Sequence, residues 1–151
     1  MLERLKVTYP RDVEAGFRKR ARKAFPNETM AYLLGHLKGD KIEILYNYFP
    51  DDLEKFCAPS YVYVQDRWIV KARKLAKKLG CVLLGDIHSH PYNHGEIKLG
   101  MGRDHSPSEI DLTRRLYGPL QGICLVRQGA TGRLSTSLRL WGPMILTTIK
   151  S

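Results

Sequence analysis

Leu83-Leu84-Gly85-Asp86-Ile87-His88-Ser89-His90-Pro91 constrains this chain more than any other stretch. An apolar run, Val82 to Leu84, leads into two histidines one residue apart, and a proline follows at once. The pattern reads as a buried strand that ends in a metal site, with Pro91 stopping the segment. On an extended backbone residues i and i+2 share a face, so His88 and His90 can aim both imidazoles at one ion while Ser89 faces away.

Two histidines seldom complete a site, and an oxygen ligand is expected downstream. Pro107-Ser108-Glu109-Ile110-Asp111-Leu112 has the grammar of a helix start, with Ser108 as N-cap and acidic residues in the first turn. Asp111 can swing back toward the strand end as third ligand, leaving the fourth position of a tetrahedral zinc to water. Three protein ligands with one open position describe a catalytic zinc rather than a structural one.

Upstream, Pro26-Asn27-Glu28 is followed by Gly35 and Gly39 in a Gly-x-x-x-Gly spacing, then by the strand with His-Ser-His-Pro, then by a Ser-x-x-Asp. In that order these motifs make the chain resemble the JAMM (MPN-plus) zinc metalloproteases, in their compact stand-alone prokaryotic or phage form. The resemblance spans roughly residues 1–141, and an ordered multi-part pattern is far more specific than one His-x-His. It implies an α/β (α+β) fold of the MPN/JAMM, cytidine-deaminase-like kind, with a mixed, mainly antiparallel sheet flanked by helices. It makes His88, His90 and Asp111 the metal ligands of one catalytic Zn2+, Glu28 the general acid/base, and Ser108 the donor that steadies the tetrahedral intermediate. The implied reaction is hydrolysis of an amide bond after the C-terminal glycine of a ubiquitin-like modifier. The chain departs from the pattern between proline and serine, where Tyr92 to Pro107 form a longer insert than the family usually carries. Ser106 competes as the motif serine, but it would set Glu109 where the aspartate belongs, so Ser108 and Asp111 are preferred.

Length fits one domain over residues 1–151, and 43% hydrophobic content suffices for a packed core. No stretch approaches a membrane span and the first residues lack an apolar signal core, so a cytoplasmic location is expected. Cys57, Cys81 and Cys124 are widely spaced and odd in number, which fits reduced, mostly buried thiols. The net charge of +10 would attract acidic partners. Its cations gather in Arg18 to Lys23 and Lys71 to Lys78, both inside helical patterns, where a solvated face is the ordinary outcome. Nucleic acid is a weaker expectation, since few aromatic residues interleave with the charge.

Leu5 to Tyr9 alternates as a first strand, and Val13, Phe17, Ala21 and Ala24 make a helical stripe over residues 12–25 that Pro26 ends. Tyr32–Leu37 and Ile42–Tyr48, joined through Lys38-Gly39-Asp40-Lys41, predict a β-hairpin whose edge is open to binding. Phe49 to Ala58 reads as irregular, and Tyr61 to Val64 as short and β-prone. Asp66 is expected to cap a helix over Arg67–Leu79, with Ile69, Ala72, Leu75, Ala76 and Leu79 inward and Gly80 as the stop. The insert, with Gly95, Gly100 and Gly102, reads as a loop that closes over substrate. A short helix over Glu109–Tyr117, a strand over Gly122–Arg127, a hairpin partner over Leu134–Leu140 and an apolar segment over Met144–Ile149 complete the chain.

The alternatives are plainer. Alone, His88 and His90 would be strand-end histidines and Glu28 a helix-flanking surface acid; the ordered constellation is what argues for metal. His94, Asp104 and His105 read as solvated insert residues, and His36 as structural. A non-catalytic MPN-type scaffold that binds a protein or nucleic acid through its basic face is the second function class. Intact ligands favour the enzyme.

Overall fold

The computed structural model describes residues 6–105 and 118–142 with their side chains, together with the backbone of 146–147 and 149–150. In chain order it forms β1 (Lys6–Thr8), α1 (Arg11–Ala24), β2 (Met30–Lys38), β3 (Lys41–Tyr48), a 3-10 turn at Leu53–Phe56, β4 (Cys57–Ala58), β5 (Tyr61–Val62) and α2 (Asp66–Lys78). Then come β6 (Val82–Tyr92), α3 (His94–Lys98), β7 (Leu120–Gln128), β8 (Leu134–Trp141), β9 (Leu146–Thr147) and β10 (Ile149–Lys150). Eight strands share one sheet in the order β10-β1-β3-β2-β6-β7-β8-β9. Its pairs are antiparallel except β10 with β1, β1 with β3 and β6 with β7. This is the mixed, mainly antiparallel sheet with flanking helices that the sequence implies.

The sheet curls because one stretch of chain serves both of its ends. Leu146–Thr147 pairs with β8, and Ile149–Lys150, one residue further on, pairs with β1. Helix α1 lies within the curl and touches strands far apart in the sheet order. Asn47 on β3 donates to the Val13 carbonyl at 2.7 Å, and Arg18 donates to the Thr136 carbonyl on β8 at 3.0 Å. Phe17 and Ala21 are its buried stripe, set against Val7, Leu33, Ile44, Ile87 and Val126. Burying a side chain such as Phe17 contributes about 1.5–3 kcal/mol.

The other face of the sheet is covered by α2. Its main anchor is Trp68, which the helical stripe read from sequence did not include: Trp68 packs with Ala72 and Ala76 against Met30, Tyr32 and Leu34, and its indole donates to Asp52 at 2.8 Å. Leu79, expected inward, is exposed because the helix ends before it and Gly80 turns the chain away. Asp66 is the first helical residue rather than the cap. Gln65 precedes it without a capping side-chain bond, and Asp66 acts only as a first-turn acid on the helix dipole.

Three further expectations are corrected. The β2–β3 hairpin forms, with Gly39 at φ +61° in its turn, but its edges are only partly open: β6 pairs along β2, and β1 covers Lys41 to Glu43 of β3. The segment before α2 is not wholly irregular, since Cys57–Ala58 pairs with Tyr61–Val62. Pro91 does not stop β6, which runs on to Tyr92 beside β7. The Ser89 amide points toward β2, where it bonds the Thr29 carbonyl at 2.9 Å. Two residues later the nitrogen of Pro91 faces the same side, past the last β2 pair at Met30, so no ladder bond is lost.

The core also sets an alkaline limit. Burial pushes the Tyr9 phenol above its ordinary range despite its 2.6 Å bond to Asn47, and pushes Cys124 up to about 12. Folded chains therefore keep protons that unfolded chains lose from about pH 9 upward. This stability is full below that pH and declines above it, by at most about 1.4 kcal/mol per pH unit per group. Thermal melts between pH 8 and 11 are expected to show Tm falling above about pH 9, with a shallower fall in Cys124→Ala. A flat profile would contradict the burial of both groups. All three cysteines are free thiols. Among the described residues no helix is long and apolar enough to cross a membrane.

Candidate metal centre

The centre forms where β2 and β6 part. Their pairing ends at Met30 opposite His88, and a reciprocal clamp holds the next step: the Thr29 amide donates to Ser89 Oγ at 2.9 Å, and the Ser89 amide to the Thr29 carbonyl at 2.9 Å. Glu28 precedes this clamp, and its own amide donates to the Ala58 carbonyl on β4 at 2.8 Å. Backbone bonds on both sides therefore fix the segment from which the Glu28 carboxylate projects. The sequence assigned Ser89 only a direction away from the ion. Its hydroxyl in fact orients the Glu28 segment, a role whose only sequence signal is a small hydroxyl between two histidines on a strand.

Strand alternation delivers the histidines as expected. His88 and His90 lie with Nε2 atoms 3.0 Å apart, and a ligand atom each from Glu28, His88 and His90 all fall within 4.8 Å of one another. Two nitrogens bound to one zinc at about 2.0–2.1 Å with a tetrahedral angle would stand roughly 3.3 Å apart, so the pair is already near chelating separation. Imidazole nitrogens with a carboxylate oxygen are a donor set that suits zinc and similar divalent ions. His88 is 1% exposed and Glu28 8%, whereas His90 is half-buried, so the group is walled behind and opens on the His90 side. A carboxylate so withdrawn from water is stabilised by a neighbouring cation. Asp86, also buried, lies on the same face of β6 by the same alternation, with Gln121 beside it in register on β7. The sequence reading passed over it, although its i−2 spacing from His88 was visible.

Ser108 and Asp111, the expected oxyanion donor and third ligand, lie outside the described residues, as does the helix expected over Glu109–Tyr117. The insert that leads toward them is more ordered than the expected loop. Tyr92 belongs to β6, and Asn93 starts α3 with a capping box shared with Glu96. His105 then meets the Ser137 carbonyl on β8 at 2.9 Å, with its ring near Trp141. Burial holds the His105 imidazole below its ordinary value, against the opposing pull of Ser137 and Asp104. His94 opens α3, and His36 lies on β2 across from Glu43. Among the described residues none of these joins the Glu28–His88–His90 group, the only such cluster there. Burial pushes the nearby Cys57 thiol up, which keeps it protonated.

The chain belongs to the prokaryotic homologs of the JAB domain, whose family model matches residues 10–96, more than half of its length. That match takes in Glu28, His88 and His90. Among solved structures, the protein DSY2949 from Desulfitobacterium hafniense is 21% identical, with 95% of this chain and 92% of that one covered at a TM-score of 0.62. AF2198, a JAB1/MPN domain protein from Archaeoglobus fulgidus, is 17% identical, with 99% and 100% covered at a TM-score of 0.51. At such identities the likeness is one of fold. No curated protein matches the sequence.

Proposed function

We propose that the protein is a zinc-dependent isopeptidase or peptidase that hydrolyses the amide bond after the C-terminal glycine of a ubiquitin-like modifier. The observation that carries this reading is the convergence of Glu28, just ahead of β2, with His88 and His90 on β6, some sixty residues away in sequence. In the proposal His88 and His90 hold the ion, with Asp111 as third protein ligand. Zinc held there supplies Lewis acidity and makes hydroxide available near neutral pH. Glu28 takes the proton from the attacking water and passes it to the departing amine, so no covalent intermediate is needed. The bonds of the Glu28 and Thr29 amides support this role by limiting how far the carboxylate can move. Ser108 donates a hydrogen bond to the developing oxyanion, a contact whose loss typically costs about 3 kcal/mol in the barrier.

The test is a panel of ubiquitin-like fusions with a reporter joined through the terminal glycine. Cleavage at the glycine is expected, abolished by a chelator and restored by added zinc. Cleavage unaffected by chelation, or none across the panel, would contradict the proposal.

A further inference from the structure

The opposite end of β6 carries a surface that the hydrolytic site does not use. Two shallow cavities, of about 480 and 290 Å³, share Cys81 and Val82 and form one trough between the end of α2 and the β2–β3 turn. Arg73 and Lys77 from α2 stand along one side, and Lys38 from β2 on the other. Its apolar part includes Val82 and Leu37, which leave 50% and 48% of their surface in water. Among the described residues no acidic side chain lines it. The charge continues along the solvent face of α2, where Arg67, Lys71, Arg73, Lys74, Lys77 and Lys78 are all exposed. Among the described ion pairs only Arg67 of these takes part, with Asp52.

We propose that this trough docks an acidic protein segment whose apolar side chains seat on Leu37 and Val82 while its carboxylates meet Arg73, Lys77 and Lys38. Charge complementarity selects the sign of the partner, and the exposed apolar floor selects its kind. A nucleic acid would use the cations and leave Leu37 and Val82 in water; the α2 face also lacks the interleaved aromatic residues on which bases stack. Val82 and His88 are six residues apart on one strand, roughly 20 Å at about 3.3 Å per residue. A partner bound here therefore leaves the Glu28–His88–His90 group uncovered. The proposal concerns binding alone and does not depend on the hydrolytic reading.

The probe is a fluorescent peptide of repeated Glu-Glu-Leu, about twelve residues long, or roughly 18 Å as a helix. Binding is followed by anisotropy at about 50 mM salt, where screening is modest. Arg73→Glu combined with Lys77→Glu is expected to weaken binding about tenfold or more, because attractive pairs become repulsive. Leu37→Ser combined with Val82→Ser is expected to weaken it about fivefold. A Glu-Glu-Ser peptide should bind the unaltered protein more weakly to a similar degree, a control that requires no substitution in the fold.

Absence of peptide binding would overturn the proposal. So would equal weakening by Lys19→Glu combined with Arg22→Glu on α1, since the effect would then be long-range charge alone. A DNA duplex or phosphatidylserine vesicles that bind as tightly, and unchanged in the Leu37→Ser, Val82→Ser variant, would replace the peptide with a general polyanion.

Discussion

Glu28→Gln is expected to lower cleavage of a ubiquitin-like fusion by about 10²- to 10⁴-fold, the usual range for loss of a positioned general acid/base. Glutamine has nearly the same shape but cannot accept and release a proton at neutral pH. The backbone bonds around position 28, from its amide to Ala58 and between Thr29 and Ser89, do not involve the altered carboxylate. The fold and the two histidines should therefore be unchanged. Metal content separates the two roles that the geometry allows a carboxylate so near both imidazoles. Retained metal with lost turnover fits proton transfer, and loss of both would make Glu28 a ligand. Retained turnover would remove it from the chemistry altogether.

Gly85→Ala is expected to destabilise the fold by about 3 kcal/mol or more, through backbone strain and overlap together. Gly85 has φ +149°, which L residues rarely adopt, and a Cβ there would lie 1.7 Å from the Leu120 carbonyl oxygen. The obstacle is backbone, which cannot rotate aside as a side chain would. Gly85 opposite Leu120 also begins the β6–β7 register that sets His88 and His90 in place. The variant should therefore lose metal affinity as well as stability. Denaturant unfolding measures the first effect, and an unchanged midpoint would contradict this close approach of β6 and β7.

What was legible in the sequence was what short-range pattern controls. The His-x-His face follows from alternation within one strand, the β2–β3 hairpin from its turn, and α1 from a stripe that Phe17 and Ala21 occupy as expected. The family pattern placed Glu28 beside the histidines, which no local rule could do. Misreadings arose where a distant partner decides. Pro91 looks like a stop until β7 supplies a parallel neighbour on one side and β2 ends on the other. Trp68 becomes the anchor of α2 because Asp52, sixteen positions earlier, accepts a hydrogen bond from its indole N–H. The closure of the sheet by β9 and β10 depends on two edges meeting, and neither edge announces the other in sequence.

Metal content measured by elemental analysis, on protein purified without added metal, tests the centre most directly when a His88→Ala, His90→Ala double variant is run alongside. About one zinc per chain in the unaltered protein, lost in the variant, is the expected result. Absence of metal from the unaltered protein, or equal metal in both, would contradict a zinc site at His88 and His90 and leave a JAB-fold scaffold in its place.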